Sequence, residues 1–242
     1  MNDDESLNTE NPPSAWDCYN SGISLQFNCA PFSLGPLGSW DIRNDPKHLC
    51  FVLSRYKFCA KMLDTKGSVL EIGCGDSVGT PITAQHVKHV HCVDWDIRHI
   101  EDNRNRLGSY GNISYEHLDI NKTPCLQNFD AAYMIDVIEH LEPPLEDNFI
   151  NNICKSLNSN GILIVGTPNI TSQQYASEVS KEQHINLHDH ASLRNLLNRF
   201  FYNTFLMSMN DEVIHTGYAP MAHYIWGIGV GVRSEAVPVS SL

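Results

Sequence analysis

The chain has 242 residues, of which 42% are hydrophobic and 18% charged, a balance that suits one large domain with a full core and excludes a disordered chain. Acids outnumber bases 28 to 16, for a net charge of −12. A surface of that sign repels phosphate backbones and argues against nucleic acid as a partner. The longest apolar stretch, Tyr224 to Val232, is too short for a membrane span. With an acidic start unlike an export signal and eight cysteines that form no CxxC pair, the chain reads as a cytoplasmic protein with reduced thiols.

Residues 1–14 are polar, contain Pro12-Pro13, and are expected to be a disordered tail. Residues 15–44 mix Trp16, Tyr19, Phe27, Phe32 and Trp40 with Gly and Pro. They are expected to form an irregular segment packed on the core, covering the active site or making a homodimer contact. Asp45-Pro46 signals a helix start, and Leu49, Val52, Leu53, Tyr56, Cys59, Ala60 and Leu63 form its apolar stripe. Together 15–64 reads as an N-terminal extension, and 65–242 as the main domain.

From Ser68 short apolar runs alternate with helical patterns. Strands are expected at 68–72, 90–93, 113–115, 131–135 and 162–165. Helices are expected at 80–87, 96–107 and 145–157, the last ended by Asn158–Gly161. A further helix ends near Phe200, and the runs 202–209 and 222–232 suit an antiparallel hairpin at the edge. The alternation predicts a doubly wound, Rossmann-like α/β sheet, mostly parallel.

The most informative stretch is Val69-Leu-Glu-Ile-Gly-Cys-Gly-Asp-Ser-Val-Gly79. A strand feeds a Gly73-Cys74-Gly75 turn and then a helix, which lets backbone approach a nucleotide closely. The dinucleotide fingerprint wants Gly or Ala at position 78, where this chain has Val78. Glu71, two residues before Gly73, would repel a pyrophosphate but favour a ligand with an ammonium or sulfonium centre. The turn thus disfavours NAD and suits S-adenosylmethionine. Asp94 closes the second strand, where an acid accepts ribose hydroxyls, and Trp95 can lie against adenine. Asp119-Ile120 follows the third strand, placed for the adenine amino group. Cys74, Asp136 and Arg55 complete the candidate cofactor set, Arg55 for the ligand's carboxylate. Asp96 reads instead as a helix N-cap.

The segments VLEIGCGD, VDWD, LDI, FDAAYMIDVIEHLE and LNSNGILIVGTPN together resemble the class I S-adenosylmethionine-dependent methyltransferases over about residues 66–170. The resemblance implies a seven-stranded sheet with its last strand antiparallel, in agreement with the C-terminal hairpin. Ser77 stands where the family usually has the third glycine of its turn.

Methyl transfer to a hydroxyl needs a general base, for which histidine is the natural candidate. Of twelve histidines, His86, His89, His91, His99 and His117 lie on segments expected to face away from the ligand. His140, after the fourth strand, and His184 and His188, in QHINLHDH, are the catalytic candidates. The expected activity is O-methylation of a small molecule or a sugar hydroxyl, with no metal ion. An alternative joins Asp136, Glu139 and His140 with His184, His188 or His190 as an O/N ligand set for Mg²⁺ or Mn²⁺. That pattern resembles the small-RNA 3′-end 2′-O-methyltransferases. A non-catalytic cofactor-binding module is the third reading. Tyr218, Tyr224 and Trp226 read as edge-strand packing before an acceptor wall.

Overall fold

A computed structural model describes residues 13–29 and 31–236; most of the expected tail, residues 1–12, lies outside them. The segment expected to be irregular instead forms two helices, α1 (Ala15–Asn28) and α2 (Pro36–Asn44). Ser14 and Asp17 cap α1 reciprocally, and Pro36 pre-sets the first turn of α2. Local capping outweighs the scattered Gly and Pro that suggested irregular chain. Helix α1, which buries none of its own residues, belongs to a compact unit that ends at Ser33; a second unit begins at Leu34.

Within the second unit, α3 (Pro46–Met62) buries Leu49, Tyr56, Cys59 and Ala60, close to the expected stripe. Asp45 occupies its N-cap position but makes no side-chain cap. The strands are β1 (Ser68–Ile72), β2 (His89–Asp94), β3 (Ile113–His117), β4 (Phe129–Ile135), β5 (Leu157–Pro168), β6 (Phe201–Asn210), β7 (Val213–His215) and β8 (Tyr224–Val232). Between them run α4 (Thr80–Ala84), α5 (Ile97–Leu107), α6 (Glu146–Lys155), α7 (Glu178–Gln183) and α8 (His190–Phe200).

The sheet order is β3-β2-β1-β4-β5-β8-β6-β7. The first five strands are parallel, and β8 runs antiparallel between β5 and β6. The sheet therefore has eight strands rather than seven. The extra one, β7, arises because Asp211, at φ +50°, sits in a two-residue turn between the paired Asn210 and Val213. Asn158–Gly161 does not simply end a helix: it lies in the first part of β5, exposed at 158–160 and buried at Gly161, where the register with β4 shifts between Phe129 and Ala131.

Helices cover both faces, as a doubly wound fold requires. One core layer joins Phe149, Ile150 and Ile153 of α6 and Leu193, Leu197 and Phe200 of α8 to the sheet. The other joins Tyr56, Cys59, Leu63, Ile100 and Leu107 to the opposite face. Because β2 and β4 flank β1 on opposite sides, the chain leaves β1 and β4 toward different faces and opens a crevice at their C-terminal ends. No helix among the described residues is long and apolar enough to cross a membrane.

Candidate active site

The crevice is a cleft of about 1010 Å³ lined by Gly73, Cys74, Gly75, Asp94, Trp95, Asp119, Ile120, Asp136 and His140. Nine of the thirteen residues singled out from sequence thus meet on one surface, contributed by the ends of four adjacent strands. Gly73 and Gly75 adopt φ of +66° and +50°, a left-handed backbone that glycine tolerates at no steric cost. A Cβ at Gly73 would lie 2.6 Å from Val137, so the turn has no room for a side chain there.

The turn satisfies its own donors. Gly73 and Cys74 N–H donate to the Val93 carbonyl at 2.9 and 3.2 Å, and Ser77 N–H to the Cys74 carbonyl at 2.8 Å. Gly75 N–H donates to Asp94 Oδ2 at 2.9 Å. These N–H groups are not free to cradle a pyrophosphate, which strengthens the case against a dinucleotide on geometry alone.

Asp94 is buried and lines the cleft, with Oδ1 accepting Asp96 N–H at 2.8 Å. Each of its oxygens keeps a lone pair for a ligand hydroxyl. Asp96 caps α5 by accepting Arg98 N–H, as expected. Asp119 Oδ1 accepts Asn121 N–H, and its Oδ2 pairs with Lys122. Trp95 is 71% exposed, free to close over a planar ring. Replacing Asp94 with Ala is expected to weaken S-adenosylmethionine at least tenfold, since hydrogen bonds to a charged group are worth about 1.5–3 kcal/mol. Calorimetric titration checks this; an unchanged dissociation constant would exclude Asp94 as a ligand group.

Glu71 does not form the cleft wall. It is buried beneath the turn, with Oε1 accepting Tyr56 OH at 2.8 Å and Oε2 accepting Thr80 Oγ1 and Tyr133 OH, each at 2.7 Å. Burial raises its pKa against the opposing effect of these donors. Its role is to fasten α3, α4 and β4 under the turn; any influence on a sulfonium acts through the interior. Gly79 belongs to the same packing, since a Cβ there would meet the Tyr56 ring at 2.1 Å.

Arg55 is likewise absent from the wall. Its Nη1 pairs with Asp136 Oδ2 at 2.5 Å, and its guanidinium lies 4.0 Å from the centre of the Tyr224 ring. The pair holds Asp136 at φ +55°, a conformation that costs a non-glycine residue about 1–2 kcal/mol. Tyr224 and Trp226 are buried, whereas Tyr218 is exposed, so the first two serve packing.

The histidines separate clearly. His140 is on the cleft, with Nδ1 donating to the Gln183 carbonyl at 3.1 Å. This tautomer, assigned from the bonding pattern, leaves Nε2 as an acceptor. His184 stands behind it, ring centres 5.1 Å apart, and burial followed by the His140 charge lowers its pKa. His188 is buried against Glu146 at 2.7 Å, with Ser192 beside Nδ1; that enclosure removes it from the catalytic candidates. His190 contacts the Met207 carbonyl.

Glu139 is fully buried. Oε2 accepts Thr167 Oγ1 at 3.0 Å, while Oε1 has no hydrogen-bond partner among the described residues. Burial, then the neighbouring Asp136 charge, raises its pKa well above the ordinary 4.5. A carboxyl raised in this way contributes stability below the ordinary value that is lost as pH rises through its folded value. Melting temperature is therefore expected to fall on alkalinisation from pH 5, and less steeply in Glu139→Gln. Equal slopes in a pH series of thermal melts would contradict this.

Sequence reasoning offers segment 15–44 as a cover for the active site or a homodimer contact, but it names none of the following lining residues as site residues. Leu37, Gly38, Trp40 and Asp41 of α2 and His48 of α3 all face the cleft. Asp76 fastens α2 by accepting Gly38 N–H at 2.7 Å; the Asp after the glycine turn was its only signal. His99, expected to face away, also lines the cleft, because the first turn of α5 follows directly on Asp94 and Trp95.

The methyltransferase domain family matches residues 43–203. Among curated proteins, the ubiquinone biosynthesis O-methyltransferase of Rickettsia conorii is 27% identical over 140 residues, covering 52% of this chain and 46% of its own length. A probable S-adenosylmethionine-dependent methyltransferase of Mycobacterium tuberculosis is 29% identical over 106 residues, 43% of this chain and 37% of that protein. The chain spans less than half the length of either relative. Among solved structures, the N-methyltransferase NodS of Bradyrhizobium japonicum superposes with a TM-score of 0.56 at 18% identity, covering 78% of this chain and 99% of the other. The methyltransferase domain of bacterial CtHen1 gives 0.63 at 16% identity, with 75% and 99% covered. These two show the shared fold. With the family matched across most of the chain and the glycine turn and strand-end acids in place, the chain belongs to the class I S-adenosylmethionine-dependent methyltransferases.

Proposed function

We propose that the chain transfers the methyl group of S-adenosylmethionine to a hydroxyl oxygen of a small molecule or sugar, with His140 as general base. The carrying observation is His140 itself. It lies on the cleft that Gly73, Asp94 and Asp119 frame, its Nδ1 is tethered to Gln183, and its Nε2 remains an acceptor. The cleft also fits the donor: its volume, about 1010 Å³, is at the upper end of small-molecule sites and leaves room for an acceptor beside it. When bound, S-adenosylmethionine supplies an electrophilic methyl on a sulfonium sulfur. The chain's residues hold that ligand, align the acceptor oxygen with the carbon–sulfur axis, and let His140 Nε2 take the hydroxyl proton. Free thiols at all eight cysteines suit a reducing, cytoplasmic setting.

A second reading has its own observation. Ligand atoms of Glu139, His140 and His184 lie within 4.8 Å of one another, and Glu139 Oε1, Asp136 Oδ1 and His184 Nδ1 have no hydrogen-bond partner among the described residues. Such an O/N set fits Mg²⁺ or Mn²⁺. Those residues would hold the ion, and the ion would lower the pKa of an acceptor hydroxyl, as on the terminal ribose of an RNA. Transfer of label from S-adenosylmethionine into metabolite, glycan, protein and RNA fractions, with and without EDTA, tests both. Label in metabolite or glycan that survives EDTA supports the base mechanism. Label in RNA that vanishes with EDTA replaces it with the metal reading.

A further inference from the structure

A second cluster of metal-ligating atoms lies outside the cleft, on neighbouring strands β2 and β3. His91 is paired in register with Ser114, and Glu116 follows two residues later, so all three project from one face. His91 Nδ1 lies 2.8 Å from Ser114 Oγ and Nε2 lies 2.9 Å from Glu116 Oε2, and the ring stacks on Phe129. Cys125, from the loop between β3 and β4, brings its Sγ to 3.8 Å from the same carboxylate oxygen. The three ligand atoms all fall within 4.8 Å of one another.

We propose that His91 Nε2, Glu116 Oε2 and Cys125 Sγ form a binding site for a zinc-class transition-metal ion. An imidazole, a carboxylate and a thiol make a mixed N/O/S set that hard cations such as Mg²⁺ and Ca²⁺ do not select. Neighbouring ligand atoms in a zinc tetrahedron stand about 3.3–3.8 Å apart at the usual bond lengths. The Cys125–Glu116 separation already matches, and the His91–Glu116 separation needs to open by only a few tenths of an ångström. Ser114 Oγ, which also lies 2.7 Å from His89 Nε2, can accept from Nδ1 once the ring proton sits there, which leaves the Nε2 lone pair for the ion. His91 and Cys125 are buried while the Glu116 side chain is 44% exposed, which leaves the fourth position to water. On binding, the Nε2 proton that His91 donates to Glu116 moves to Nδ1 by way of solvent, the Cys125 thiol proton is released to solvent, and two metal bonds replace the His91–Glu116 hydrogen bond.

The position gives the site a consequence. Cys125 anchors the loop that also carries Asp119 and Ile120 to the cleft, so a bound ion ties that loop to β2 and β3. It would raise thermal stability without taking part in methyl transfer, and it is independent of how the cleft is read.

Cobalt(II) added to the full chain tests this through thiolate-to-cobalt charge-transfer absorption in the near ultraviolet. The expected result is such a band, saturating at one equivalent, displaced by zinc, lost in Cys125→Ser and retained in His140→Ala. Absence of the band, or its persistence in Cys125→Ser, overturns the proposal. Glu116→Gln, at a half-exposed position, is the second variant should Cys125→Ser fail to fold. Cobalt affinity is expected to drop at least tenfold there, and unchanged affinity also overturns the site.

Discussion

Replacing Glu71 with alanine is expected to destabilise the protein by about 3–5 kcal/mol, the range for breaking a buried charged network from one side. Three hydroxyls, on Tyr56, Thr80 and Tyr133, and the Cys92 thiol at 3.5 Å all converge on this carboxyl. Removing it leaves those donors buried without an acceptor, and each orphaned group costs about 1–3 kcal/mol before any relaxation. Glu71→Gln keeps the volume and one acceptor oxygen, so it should lose less than half as much. Denaturant midpoints of the two variants settle the matter. A loss below about 1 kcal/mol in the alanine variant would mean that the network is not what fastens the turn. Cofactor affinity should decline along with stability, because Tyr56 both lines the cleft and is positioned by Glu71.

His140→Ala is expected to lower kcat by about 10²–10⁴-fold, the usual contribution of a positioned acid or base. The ring lies on the cleft and contacts the Gln183 carbonyl, whereas Asp94 and Gly75 bond to each other, so the affinity for S-adenosylmethionine should stay within about twofold while turnover collapses. His188→Ala provides the contrast. That residue is enclosed with Glu146, so its loss should lower stability and leave kcat per folded molecule near the wild-type value. Equal turnover in His140→Ala and the wild type would remove the base from the mechanism.

The site was legible in sequence where a strand end and a chemical requirement coincide. Gly73, Gly75 and Asp94 close strands or turns with clear apolar runs, Asp119 follows the weaker third strand, and the sheet order brings them to one crevice. Long-range pairing was not legible. Nothing in the order of residues shows that Arg55 spends its charge on Asp136, or that Glu71 faces inward to three hydroxyls. Proximity to Gly73 suggested a ligand contact, and burial decided otherwise. The α2 contribution was hidden for a related reason: its apolar residues are exposed or turned to the cleft rather than to a core, so no stripe marks the helix. Strand β7 is three residues long, below the length at which alternation can be read.

The most direct measurement is a calorimetric titration of the full chain with S-adenosylmethionine, run beside Asp94→Ala and beside NAD. One equivalent bound by the wild type at micromolar affinity, at least tenfold weaker binding by the variant, and no heat with NAD is the expected result. Tight NAD binding, or S-adenosylmethionine binding that ignores Asp94, would contradict the assignment of the cleft.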